Sequence, residues 1–440
     1  MGVKIDARIR GVMKRDSDVM LATTREHYDF VATRGEGDYA YDISGNRFID
    51  FTSFISVYNF GVNANKAVRD AIKSQVDTLM HPAFTDYYSE LPVTFAEKLI
   101  SMFPKGFGRV FYSNSGTEAV EASIKFAKVF TKKQYVIAFY NAFHGRTQGS
   151  LGLTASNNLH RKHFGPFNSV IHSLYPYPYR FPYGDAEECG KFCISHLKDT
   201  ILRKEVSPEE VAAIIVEPIE GEGGYVVPPK SFMQELREVA SDNGILLIAD
   251  EVQTGYMRTG KFLALDHFGV EADIYNMAKA LGGGLPFGAT VTRKSLGNSY
   301  GGAHANTFGG NLLAVAAANA SLDYVKKNMR SIEDQVKKKG ATVRKRLEEM
   351  KESYEIVGDV RGIGLMMAME LVKDKRTKEY GEKAREAVLL GCFNRGLLML
   401  PASRSTVRVI PPITISEANL ERGLDILEDS VKEANRKLRG

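Results

Sequence analysis

Short, continuous apolar runs alternate along this chain with longer segments in which apolar positions recur every three or four residues. The runs at residues 109–112, 135–139, 213–216, 245–249 and 274–277 predict strands. Their apolar character is unbroken, which suits strands covered on both faces. The helical segments between them supply the crossovers that parallel strands need. The pattern therefore predicts an α/β domain over residues 61–325, with a mainly parallel central sheet and helices on both faces.

The flanking parts read differently. Within residues 1–60, Tyr39-Ala40-Tyr41-Asp42 and Arg47-Phe48-Ile49-Asp50-Phe51 surround Ser44-Gly45-Asn46, which predicts a small antiparallel hairpin. Residues 326–440 carry a charged amphipathic helix, a strand around 364–369, a helix over 385–394, strands near 397–400 and 407–410, and a last helix. Ser416 is its N-cap, with Leu420, Leu424 and Ile426 facing inward. The two ends are expected to form a smaller α+β domain. Ile332, Val336, Val343 and Leu347 make one apolar stripe, so the basic run from Lys337 to Arg346 predicts a solvated helix face. The loop from Tyr175 to Gly184 holds three prolines and five aromatic rings, so it predicts a rigid cover or a subunit contact.

Composition narrows the function by exclusion. The 440 residues include 58 basic and 53 acidic side chains, a net charge of +5. That excess is too small for a nucleic-acid surface. No apolar run approaches the roughly 18 residues of a membrane span, and the charged N-terminal stretch does not resemble a signal peptide, so a cytoplasmic protein is expected. Gly2 does not begin an acylation motif, because Asp6 stands where Ser or Thr is needed. Cys189, Cys193 and His196 share one helical face. Phe192, Leu197 and Ile201 continue that stripe and no fourth ligand follows, so it predicts buried packing and no metal.

In open α/β sheets, ligands bind beyond the carboxyl ends of the strands. The first such end is Ser113-Asn114-Ser115-Gly116-Thr117-Glu118, where small residues open a helix and its N–H groups suit a phosphate. The second, Phe143-His144-Gly145-Arg146-Thr147, adds an aromatic ring, an imidazole and a guanidinium. The third ends in Glu217-Pro218. The fourth ends in Asp250-Glu251-Val252-Gln253, where a carboxylate after a buried strand needs a cationic partner. Lys279 follows residues 274–277, with apolar neighbours that favour a neutral, nucleophilic amine and with Gly282, Gly283 and Gly284 close behind.

Pyridoxal 5'-phosphate answers all of these requirements. Its phosphate takes the helix start, its aldehyde forms a Schiff base with Lys279, and its pyridinium nitrogen pairs with Asp250. A competing motif, Gly255 to Lys261, matches the core of a nucleotide-binding loop. Phe262 stands where that loop needs Ser or Thr for magnesium, which argues against it.

The ordered motifs Asn114 to Ala119, Phe143 to Thr147, Glu217 to Gly224, Ala249 to Gly255, Met277-Ala278-Lys279 and Thr307 to Asn311 resemble the class III aminotransferases, pyridoxal phosphate enzymes of fold type I. The resemblance implies that Ser115, Gly116 and Thr117 bind the phosphate and that Phe143 and Val252 flank the ring. It places His144 and Glu217 at the cofactor as well, with Gln253 on the phenolic oxygen. It also implies a homodimer in which Thr307 reaches the neighbouring site. It implies as well that Lys279 and Asp250 are the catalytic residues, serving an amino donor and a 2-oxo acid acceptor. The 4-aminobutyrate aminotransferase branch is the nearest match, through Ile55, Arg146, Glu222 and Arg408. There Arg146 binds the distal carboxylate of an ω-amino acid, and Arg408 binds the α-carboxylate of 2-oxoglutarate, neutralised in turn by Glu222. Amino-acid racemases and acetylornithine or ornithine aminotransferases share the framework.

Overall fold

The computed structural model describes residues 3–22 and 28–439; Gly2 lies outside them. The chain divides into two compact units. One runs Lys66–Asp334, and the other combines the chain up to Asn65 with the chain from Gln335 onward.

The unit Lys66–Asp334 is built on a seven-stranded sheet. Its spatial order is Phe107–Ser113, Gly288–Arg293, Ile274–Met277, Leu246–Asp250, Val211–Val216, Tyr135–Phe139 and Val170–Ser173. Gly288–Arg293 runs antiparallel to both of its neighbours, and the other pairings are parallel. The mainly parallel α/β class expected from the apolar runs is the one observed. Val211–Val216 is buried at every position, as a strand covered on both faces must be. Alternate residues on one sheet face, Val136 and Ala138, Ala213 and Ile215, pack with Val120, Ile124 and Ala127 of the helix Gly116–Thr131. Six strands point the same way, which gathers their carboxyl ends along one edge.

Two strands escaped the sequence pattern. Val170–Ser173 is a four-residue edge strand, and Gly288–Arg293 carries Thr290 and Thr292 among its apolar residues. The buried Thr290 hydroxyl donates to the Ala119 carbonyl at 2.8 Å, so it packs as an apolar residue would. The loop from Tyr175 divides. Tyr175 is buried, with its hydroxyl donating to the Glu217 carbonyl at 3.2 Å, whereas Tyr183 is exposed. Cys189 and Cys193 are buried, as the stripe predicts, and His196 Nδ1 lies 3.3 Å from Ser173 Oγ. Phe192, assigned to that stripe, is instead exposed. Among the described residues no cluster of metal-ligating side chains occurs.

In the other unit, Tyr39–Asp42 pairs antiparallel with Arg47–Asp50, and Asp42 accepts the Ser44 and Asn46 N–H groups at 2.9 Å to hold the turn. Leu397–Leu398 adds a parallel strand. A second sheet orders Val357–Ile363, Met366–Asp374, Thr406–Val409 and Leu400–Ala402. Gly364, expected inside a strand, is at the hairpin turn between the first two, with φ +60°. The last helix is Glu417–Arg439, and Ser416 accepts the Asn419 N–H at its start. Leu420 and Leu424 face inward, but Leu427 is buried where Ile426 was expected. The basic run is not wholly solvated either. Lys339 is buried because its ammonium donates to the Ile413 carbonyl at 2.6 Å.

Candidate active site

Ser115 caps the helix Gly116–Thr131, its hydroxyl accepting the Glu118 N–H at 3.3 Å. Glu118 returns the interaction by accepting both the backbone N–H and the amide of Asn114, at 2.6 and 2.9 Å. A Cβ at Gly116 would lie 2.7 Å from Val252 Cγ1, so only glycine lets the helix start approach the loop after Asp250. The Thr117 hydroxyl accepts the Arg146 N–H at 3.2 Å and lies 2.5 Å from Ser150 Oγ. Gly145 makes that closeness possible, since its Cβ would fall 2.1 Å from Thr117 Oγ1.

At the adjoining strand end, His144 Nδ1 and Asp250 Oδ2 are 2.7 Å apart and both side chains are buried. The carboxylate can only accept, so Nδ1 carries the proton. The second carboxylate oxygen accepts the Val252 N–H at 3.1 Å. Glu217 is buried beside this pair and accepts the Phe143 and Gly221 N–H groups, each at 2.8 Å. Burial pushes its carboxyl up to about 7, against the pull of His144 and with the push of Asp250. Gln253 donates to the Tyr225 hydroxyl at 3.1 Å, and a Cβ at Gly221 would lie 2.2 Å from Gln253 Oε1. Glu251 points into the protein instead. It accepts the Thr254 hydroxyl and the Leu265 N–H, and burial pushes it up to about 7.

Lys279 is half-buried with φ +48°, unusual for a side chain of its size, and follows the extended Ala278. A residue held in that region is strained by roughly 1–3 kcal/mol, which surrounding structure must offset. The exposed Arg146 guanidinium lies 5.4 Å over the half-buried Phe143 ring. His160 meets the same ring edge-on at 5.7 Å. Burial and then the Arg146 charge lower the His160 pKa, and Glu222 opposes them, so these three groups share one electrostatic environment. Gly255 to Lys261 forms no phosphate loop. Tyr256 and Met257 donate across it to the Phe262 and Lys261 carbonyls, which closes a buried turn.

One family model settles the classification: that of the aminotransferases of class III matches residues 20–431. The chain belongs to that family. This aminotransferase is 36% identical over 423 residues to a leucine/methionine racemase of Thermococcus litoralis, covering 96% of this chain and 95% of the relative. It is 34% identical over 407 residues to a probable 4-aminobutyrate aminotransferase of Bacillus subtilis, covering 91% and 93%. An acetylornithine aminotransferase of Methanosarcina mazei is 38% identical over 427 residues, covering 97% and 98%.

Class III aminotransferases use pyridoxal phosphate, with an amino donor and an oxo acid acceptor. The residues of this aminotransferase fit that group. A helix start opens beside Gly116, which a Cβ would fill, a buried carboxylate stands ready for a ring cation, and an amine follows the neighbouring strand. Within Lys66–Asp334 the structure brings together Ser115, Gly116, Thr117, Phe143, His144, Arg146, Glu217, Asp250, Val252 and Gln253 through the contacts above. Thr307 is exposed in a loop held by Asn306, whose amide donates to the Tyr112 carbonyl at 2.9 Å. Ile55 and Arg408 belong to the other unit. Ile55 is exposed in a left-handed turn, Ser53–Ser56, in which all four residues have positive φ. Arg408 is buried on Thr406–Val409 and donates to the Pro401 carbonyl at 2.9 Å. His160 was missed by the sequence reading because nothing near it in the chain marks a site. Thr147, Ser150 and Glu121 were missed as a hydrogen-bonded group because the last lies 26 residues before the first.

Proposed function

We propose that this aminotransferase moves the amino group of an ω-amino acid, similar to 4-aminobutyrate, to 2-oxoglutarate. The observation that carries the reading is the Arg146 guanidinium, exposed over Phe143 on the loop that also holds His144 against Asp250. A fixed cation there suits a carboxylate remote from the reacting amine. The similarity to the Bacillus subtilis relative supports the same donor class.

In this reading the cofactor supplies an aldehyde carbon and an electron-accepting ring. Ser115, Gly116 and Thr117 bind its phosphate, while Phe143 and Val252 hold the ring between them. Gln253 orients the phenolic oxygen. Asp250, oriented by His144, holds a proton at the ring nitrogen, and Glu217 supports that loop through the Phe143 N–H. The Lys279 amine takes a proton from the substrate carbon that bears nitrogen and returns one later. By the family resemblance, Arg408 is the candidate for the α-carboxylate of the oxo acid, and Glu222 is the candidate for balancing a cation when the donor lacks a second carboxylate.

The enzyme acts as a homodimer in which Thr307 completes the partner's site. Exposed Met80, Tyr87, Tyr88 and Phe308 support this, since His81 packs on Phe308 at 4.7 Å and brings the two segments together. Three free, buried cysteines and the lack, among the described residues, of any helix able to cross a membrane accord with a cytoplasmic setting.

Racemisation is a second reading, favoured by the Thermococcus litoralis relative. Purified enzyme loaded with pyridoxal phosphate, given 4-aminobutyrate, acetylornithine or leucine together with 2-oxoglutarate, decides between them. Glutamate formed fastest from 4-aminobutyrate supports the proposal. Deuterium entering leucine without any glutamate overturns it.

A further inference from the structure

Glu121 lies one turn into the helix Gly116–Thr131, four residues beyond Thr117. Its Oε1 accepts the Thr147 hydroxyl at 2.5 Å and the Ser150 N–H at 3.0 Å. A Cβ at Gly149 would lie 2.2 Å from Glu121 Oε2, so glycine at that position is what admits the carboxylate. Three hydroxyls cluster beside it. Thr117 Oγ1 is 2.5 Å from Ser150 Oγ and 3.0 Å from Thr147 Oγ1, and the latter two are 3.0 Å apart.

Counting protons decides how this cluster is oriented. An ionised carboxylate only accepts, so the Thr147 proton is committed to Glu121. Thr147 Oγ1 can then act toward its neighbours only as an acceptor. Thr117 Oγ1 accepts the Arg146 N–H at 3.2 Å, with the Thr147 N–H farther off at 3.4 Å. The 2.5 Å contact between Thr117 Oγ1 and Ser150 Oγ needs one proton between the oxygens, and either hydroxyl can supply it. With Ser150 as that donor, the Thr117 proton is left for Thr147 Oγ1 or for an incoming anion.

We infer that Glu121 is a positioning residue for the cofactor phosphate, holding the Thr147 proton away from Thr117 so that Thr117 can give its own proton to the phosphate. The inference rests on the proposed phosphate site at Ser115 to Thr117. Without Glu121, Thr147 turns its hydroxyl back toward Thr117 and competes for the lone pairs that hold the Arg146 loop.

The test is binding of pyridoxal phosphate and of pyridoxal, which lacks the phosphate, followed by absorbance titration of the cofactor-free apoenzyme. Glu121→Ala and Thr147→Val weaken pyridoxal phosphate about tenfold and leave pyridoxal unchanged. Glu121→Gln keeps an acceptor oxygen in place and retains near-normal binding of both. Thr147 is exposed, so its variant serves even if Glu121→Ala fails to fold. Unchanged binding of pyridoxal phosphate in Thr147→Val, or equal weakening of both ligands, overturns the inference. Damage by Glu121→Gln as large as that by Glu121→Ala does so too. If the wild type itself binds pyridoxal phosphate no better than pyridoxal, the phosphate site is wrong and the failure lies there instead.

Discussion

His144 Nδ1 and Asp250 Oδ2 meet at 2.7 Å inside the protein, at the ends of two parallel strands separated in the sheet by a third. The imidazole fixes where the carboxylate points, in a place water barely reaches. Asp250→Ala is expected to lower kcat by roughly 10²–10³-fold, the scale of losing one preorganised electrostatic partner. Steady-state kinetics alongside a cofactor titration checks this. A variant that still titrates with pyridoxal phosphate and turns over near the normal rate refutes the role of Asp250.

Lys279→Ala should lose activity by about 10³-fold or more, because one amine serves as both attachment point and proton carrier. Borohydride reduction of the wild type followed by peptide mapping should label Lys279. Label on a different lysine, or on none, would contradict the assignment.

Arg146→Ala should raise KM for 4-aminobutyrate by about 10–100-fold, matching the roughly 1.5–3 kcal/mol of a hydrogen bond to a charged group. Simple amines without a carboxylate should show little change. An equal effect on both donor classes would mean that the guanidinium shapes the loop and does not read a carboxylate.

Glu251 carries a pH signature that is separate from catalysis. Burial pushes its folded pKa up to about 7 from 4.5, so the folded state holds a proton that the unfolded state releases across that window. Stability from this group is thus fully present below about pH 4.5 and falls as pH rises toward 7, by on the order of 3 kcal/mol. Glu251→Gln should flatten urea-unfolding stability between pH 5 and 8 relative to wild type. An unchanged slope in the variant would show that Glu251 does not titrate there.

The pattern of apolar runs was enough to locate five strands of the large sheet, because a strand buried on both faces must be apolar throughout, as Val211–Val216 is. It passed over Gly288–Arg293, where Thr290 hides its hydroxyl on the Ala119 carbonyl, a partner 171 residues away. The turn Ser53–Ser56 was equally hidden. Four non-glycine residues in left-handed geometry contradict local preference, so only surrounding structure holds them there.

By itself the sequence carried the family resemblance, through its ordered motifs, and pointed to the cofactor chemistry and the candidate lysine and aspartate, through residue types placed after buried strands. Only the tertiary structure decided which groups meet: His144 with Asp250, Arg146 over Phe143 beside His160, and Glu121 behind the three hydroxyls. Hydrogen bonds act over about 3 Å, and His144 with Asp250 and Glu121 with Thr147 are brought within that range by the packing of the sheet and its crossovers, not by their spacing along the chain.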